Sequence, residues 1–174
     1  GTQDFIQNKF PQVKIIRHTK NSGPSVGRNT GLANATGDFV AFLDDDDQLL
    51  EDALSNIQRC ILQLDNYLSY PVFQFAHSNG CSHETFCMVS IKEFCNGAIQ
   101  GDFLPVINRE LFLNERLAYP NLRCGGENIL WWEVADRWQI PTWDVVVSQV
   151  NDDATIRLTS ADNQLLRASE YAEI

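Results

Sequence analysis

The sequence predicts an α/β domain: a mixed, mainly parallel sheet flanked by helices. Three observations lead there. Asp38-Phe39-Val40-Ala41-Phe42-Leu43 is a near-continuous apolar run ending in four aspartates, Asp44 to Asp47, and strands buried on both faces of a parallel sheet read this way. Leu50, Ala53, Leu54, Ile57, Ile61 and Leu64 recur with the period of an amphipathic helix. The opening order of strand, helix, strand, helix implies a βαβ unit with a right-handed crossover.

The elements follow in order. Val13-Lys14-Ile15-Ile16-Arg17-His18, after Pro11, is the first expected strand. Asn21-Ser22-Gly23-Pro24 is a loop, and Ser25 to Thr36 a helix of small residues that Gly37 stops. The apolar run is the second strand, and the amphipathic helix follows, with Glu51 and Asp52 in its first turn. Pro71 to Phe75 and Phe86 to Ile91 are strand candidates, as antiparallel additions. Asn108 to Leu113 reads as a short helix, Glu127 to Trp138 as a longer one after the Gly125-Gly126 break, and Val145 to Val150 as a strand. Thr159, with Asp162 as a weak capping box, opens a last helix.

Composition narrows the function. The 174 residues suit one domain with a real core, and 44% hydrophobic against 21% charged residues is ordinary for a soluble chain. A formal net charge of −10 argues against nucleic acid as a partner, because phosphate backbones demand clustered Lys and Arg. A nucleotide ligand stays open, since one bound divalent cation reverses the local field. No apolar run approaches the ~20 residues that span a bilayer. Cys81, His83, Cys87 and Cys95 lie close together but lack the paired knuckle of structural zinc sites, so free thiols in a reducing cytoplasm are the simpler reading.

Asp44 to Asp47 carry the strongest chemical signal. Packed carboxylates after a buried strand stand at the carboxyl edge of the sheet, where open α/β folds bind ligands. Adjacent carboxylates repel one another without a cation, and a hard divalent ion held by oxygen ligands resolves that. The other reading is a solvated loop whose Asp47, with Glu51 and Asp52, caps the following helix.

Residues 21–54 taken together carry a family resemblance. Asn21-Ser22-Gly23, Gly27-Arg28-Asn29, Gly31, Ala35-Thr36-Gly37-Asp38 and Phe42-Leu43-Asp44-Asp45-Asp46-Asp47 closely resemble the pattern of the inverting family 2 glycosyltransferases, with Gly27 where Ala is common. The resemblance implies a GT-A-type, Rossmann-like fold and a metal-dependent transfer from a UDP- or GDP-type nucleotide-sugar donor, with Mn²⁺ or Mg²⁺ as cofactor. It implies that Asp46 and Asp44 hold the metal, and that Asp44, Asp45, Arg28 and Asn29 border the donor. A surface salt bridge for Arg28 and a backbone bond for Asn29 are the plainer alternatives.

Gly125-Gly126-Glu127-Asn128 resembles the family's G-E-D segment, which carries the catalytic base. Asn128 stands where Asp is usual and cannot take up a proton, so Glu127 is the candidate base, with Glu133 and Asp136 in reserve. A helix N-terminal charge is the alternative for Glu127. Trp131 or Trp132 is a candidate to stack on an acceptor sugar, against simple apolar packing. Ile156-Arg157-Leu158-Thr159-Ser160 resembles the stretch after the last core strand, where Arg157 can reach a donor diphosphate or lie on the surface.

On this reading residues 1–66 form the nucleotide-sugar and metal half, 67–158 the acceptor and catalytic half, and 159–174 a C-terminal helix. The family's first strand–helix–strand unit has no counterpart after Gly1, so residues 1–174 alone are expected to bind donor weakly or not at all, and unpaired sheet edges would invite a homo-oligomer. The resemblance implies a glycan or lipid-linked acceptor at the cytoplasmic membrane face, and with it a cytoplasmic protein in peripheral association with the inner membrane face. Two rivals remain: a sugar nucleotidyltransferase, and a degenerate domain, marked by Asn128, that binds carbohydrate or a partner without catalysis.

Overall fold

The computed structural model describes residues 1–81, 85–97, 99, 101–122 and 126–151. Its elements are α1 (Thr2–Lys9), α2 (Pro24–Asn34), β1 (Phe39–Ala41), β2 (Gln48–Leu49), α3 (Ala53–Leu62), β3 (Val72–Cys81), β4 (Phe86–Val89), α4 (Ile91–Cys95), β5 (Gly101–Asn108), α5 (Arg109–Asn114), α6 (Glu127–Arg137) and β6 (Ile140–Gln149). One sheet runs in the order β1-β5-β3-β6-β2, and β4 also pairs with β6.

Alternation along the strands splits the core into two layers. Val72, Ile107 and Ile140 face one side and pack with Leu32 of α2, Phe112 of α5, and Leu130, Val134 and Ala135 of α6. Phe73, Phe75, Leu104, Val106, Trp143 and Val147 face the other and are covered by Ala53, Ile57, Cys60 and Ile61 of α3. Phe75 and Trp143 stack with ring centroids 5.1 Å apart, which locks β3 to β6 on that face.

The α/β class holds, with helices on both faces of a mixed sheet. The expected mainly parallel character does not. Among the described strands only β3–β6 is parallel. β1 pairs antiparallel with β5, β5 with β3, and β2 and β4 with β6. The reason is that residues 13–18, expected as the first strand, are in no strand: Val13 and Ile16 are exposed, and Lys14 reaches Asn34 Oδ1 at 2.9 Å instead. The βαβ unit therefore has no parallel partner for β1, whose neighbour β5 returns from much later in the chain.

Other boundaries moved for local reasons. α2 begins at Pro24, whose fixed φ and missing N–H suit the first helical position. It ends when Ala35 turns extended, so Gly37 is not its stop. α3 starts after Asp52, and Leu54 lies exposed rather than in the apolar stripe. The strand begun at Phe86 stops at Val89 because Ser90 and Glu93 form a capping box that opens α4. β3 runs on to Cys81 and β6 begins five residues early, at Ile140. β5 was hidden by Pro105. By the strand's alternation from Asn108, which donates to Pro71 O, the Pro105 nitrogen faces the β1 side, past the last β1 pair, Ala41–Val106, where no ladder bond is lost. Arg157, the Thr159 helix, His83 and Cys124 lie outside the described residues.

Candidate active site

The acidic loop is held by its backbone and leaves its carboxylates outward. After β1, Asp47 N–H donates to Asp44 O at 3.1 Å, closing a turn. Asn151, just past β6, donates its side-chain amide to Asp46 O at 2.6 Å and its N–H to Asp47 Oδ1 at 3.4 Å. Leu50 N–H then donates to Val147 O at 2.9 Å as β2 joins β6. The loop is thereby fixed at the end of β6, and the side chains of Asp44, Asp45 and Asp46 are exposed.

Arg28 joins this loop to the distant helix α6. Its guanidinium donates to Glu127 Oε1 at 2.7 Å and to Asp44 Oδ1 at 3.2 Å, bridging residues that stand 99 and 16 positions away. Burial works against the Arg28 charge, but the carboxylates of Glu127 and Asp44 help to outweigh it, and its pKa stands above the usual guanidinium value. The surface-pair reading of Arg28 is thus half right: it makes salt bridges, but to the two candidate site carboxylates, with only 21% of its side chain exposed.

Gly126 sets Glu127 in place. It adopts φ 84° as the N-cap of α6, which makes Glu127 the first helical residue. Asn128 beside it is exposed. Glu133, a reserve base, pairs with Arg137 at 3.0 Å, and Asp136 is exposed on the same helix.

Asn29 spends its side chain on structure. Its amide donates to Tyr119 O at 2.8 Å and its Oδ1 accepts from Tyr119 N–H at 2.9 Å, so both ends are committed to one peptide segment. Tyr119 itself was not singled out in the sequence, where Leu117-Ala118-Tyr119-Pro120 has no distinguishing pattern. Its ring lies under Arg28, 5.5 Å from the guanidinium carbon. It also meets Phe42 at 5.6 Å and Trp131 at 5.7 Å, both edge-on. Trp131 is therefore half-buried against this ring, whereas Trp132 is 46% exposed and free to meet a ligand. Burial pushes the Tyr119 phenol far above its usual range, Arg28 drawing it part of the way back, so the ring stays neutral.

Among the described residues no three His, Cys, Asp or Glu side chains converge into a ready-made metal cage. A Mg²⁺ or Mn²⁺ site of one or two carboxylates completed by water and phosphates needs no such cage. The exposed, all-oxygen donors of Asp44 and Asp46 fit that kind of ion. The cysteine cluster supplies no zinc set within the described residues.

A mixed α/β sheet flanked by helices, with an acidic loop following β1, is what the resemblance to the family 2 glycosyltransferases leads one to expect. The comparisons with known proteins agree. Residues 1–82 match the family model described as Glycosyl transferase family 2. The chain is 30% identical over 146 residues to a GalNAc(5)-diNAcBac-PP-undecaprenol beta-1,3-glucosyltransferase of Campylobacter jejuni, covering 75% of this chain and 45% of that protein. It is 25% identical over 138 residues to a putative teichuronic acid biosynthesis glycosyltransferase of Bacillus subtilis, TuaG, covering 75% of this chain and 54% of the relative. In fold it resembles S. aureus TarS 1–349 in complex with UDP-GlcNAc, with a TM-score of 0.70 at 16% identity, over 99% of this chain and 53% of the other. Together these findings support a family 2 glycosyltransferase with a GT-A-type fold. The chain spans about half the length of these relatives.

Proposed function

We propose that the protein transfers a sugar from a nucleoside-diphosphate donor to an acceptor hydroxyl, with inversion and with Mn²⁺ or Mg²⁺, in glycan biosynthesis. One observation carries this reading: Arg28 brings Asp44 of the acidic loop and Glu127 of α6 to a single point. Carboxylates for a donor-bound cation and a carboxylate for an acceptor proton are thereby neighbours.

Asp46 and Asp44 would hold the cation, which when bound neutralises charge on the diphosphate leaving group. Glu127 Oε1 is occupied by Arg28, and Oε2, which has no partner among the described residues, would take the acceptor's proton. The acceptor oxygen forms its bond to the anomeric carbon from the face opposite the leaving group. The old glycosyl–phosphate bond breaks, and its electron pair leaves with the nucleoside diphosphate. A single displacement of this kind inverts the anomeric centre. Trp132 is the aromatic face exposed on the same helix for an acceptor ring.

A lipid-linked acceptor is supported by the name of the Campylobacter relative, which acts on an undecaprenol-linked glycan. A UDP-type donor is supported by the UDP-GlcNAc bound to the similar fold. Work at the cytoplasmic membrane face follows from such an acceptor; no helix among the described residues is long and apolar enough to cross a membrane. Asn128, standing where the family pattern has Asp, favours one second reading, a domain that binds carbohydrate without transfer.

The test is nucleotide release and product NMR with the full-length protein, a panel of UDP- and GDP-sugars, and Mn²⁺ or Mg²⁺. The expected result is nucleoside diphosphate release and an inverted linkage. Asp46→Ala should remove metal-dependent turnover. Glu127→Gln should cut kcat by about 10²–10⁴ while sparing donor binding. Retained configuration, pyrophosphate release, or a fully active Glu127→Gln variant would each overturn part of this assignment, and silence with every donor would favour the binding domain.

A further inference from the structure

The three segments that carry the site meet on one residue that none of the motifs contains. Tyr119 is 2% exposed, and its backbone is clamped at both N–H and C=O by Asn29 of α2. Its ring touches Phe42, two residues before Asp44, and Trp131, four residues after Glu127. Its face supports Arg28, which holds Asp44 and Glu127. Its hydroxyl, by contrast, is buried with no hydrogen-bond partner among the described residues. A buried phenol without a partner costs stability, so the polar end of Tyr119 is not what this position uses.

We propose that Tyr119 is a positioning residue: its aromatic face, fixed by the Asn29 clamp, orients the Arg28 fork and so sets Glu127 against the acidic loop. The reasoning is geometric. A guanidinium on a flexible stem reaches two carboxylates in many ways, and a ring face beneath it removes most of them. Phe42 and Trp131 hold that ring from the β1 and α6 sides, so the loop, the helix and the arginine share one reference surface. The proposal rests on the transferase reading for its catalytic consequence, but not for its structural one.

The experiment compares Tyr119→Phe with Tyr119→Leu in the full-length protein. Phe keeps the ring face and discards the hydroxyl; Leu keeps apolar bulk and discards the face. Two signals are read at a temperature where both variants are folded: transferase kinetics, and ¹⁵N relaxation of the Arg28 Nε–Hε group by NMR. The expected result is an ordered Arg28 and kcat within about twofold of wild type in Tyr119→Phe. In Tyr119→Leu, Arg28 becomes mobile and kcat falls on the order of tenfold, with KM for donor changing less. Equal behaviour of the two variants, in kcat or in Arg28 order, overturns the proposal. Where Tyr119→Leu does not fold, Tyr119→Met removes the same face and serves in its place. If wild type transfers no sugar, the transferase reading fails, and Arg28 order still decides the positioning role.

Discussion

At the scale of single residues, the position of Glu127 depends on Gly126. A left-handed φ of 84° is free for glycine and costs a residue with a Cβ about 1–2 kcal/mol. An added Cβ would also stand 2.5 Å from Leu122 Cδ1, a contact that this flexible side-chain end can relieve by swinging away. The backbone term therefore decides. Gly126→Ala should lose about 1–2 kcal/mol and lower the melting temperature by roughly 2–8 °C, with turnover falling as Glu127 shifts. A variant that melts with wild type in a fluorimetric scan would show that α6 starts equally well without glycine here. The sequence made this residue visible, because a glycine pair before a helix is a known signal. It made Arg28, Asp44 and Glu127 visible too, through the family resemblance. It did not reveal that Asn29 is spent on Tyr119, or that Tyr119 matters at all. Both facts depend on a contact across 90 positions, which no local spacing encodes.

At the scale of elements, α5 and α6 both end on a non-glycine residue in the left-handed region. Arg116, at φ 59°, closes a Schellman motif: its N–H donates to Leu113 O and that of Leu117 to Phe112 O. Gln139, at φ 63°, ends α6 with its N–H on Ala135 O. Both side chains are exposed, so glycine would relieve backbone strain without removing packing. Against that stands glycine's larger entropy in the unfolded chain. The balance is a gain of about 0.5–1 kcal/mol each for Arg116→Gly and Gln139→Gly, additive because the helix ends are separate. Denaturant melts should show higher midpoints with unchanged slope; a lower midpoint would mean that a side chain contributes more than its exposure suggests. Elements with strong local codes were legible: α2, α5, α6, β1 and the buried face of α3. Among the strands with distant partners, β3, β4 and β6 were legible with other ends, whereas β2 and β5 were not. β5 contains a proline and is interior only because β1 ends before it matters, and residues 13–18 have the composition of a strand but no neighbour.

At the scale of the whole molecule, charge sets a condition on any phosphate ligand. The chain carries 23 acidic against 13 basic residues, a formal net charge of −10, and four of the acids crowd one exposed loop. Such a field repels a nucleoside diphosphate and attracts a divalent cation. The one described guanidinium that faces Asp44, Arg28, is already shared with Glu127. Donor binding by the full-length protein is therefore expected to need the cation, not merely to be improved by it. In a thermal scan, UDP alone and Mn²⁺ alone should each move the melting temperature little. Both together, at about 100 times the dissociation constant, should add about 2.7 kcal/mol by mass action, a rise of roughly 5–10 °C for a domain of this size. High salt should weaken UDP repulsion and narrow the gap between the two conditions. An equal rise with UDP and EDTA would mean that the nucleotide's charge is met by protein cations elsewhere, and that the acidic loop does not gate its binding.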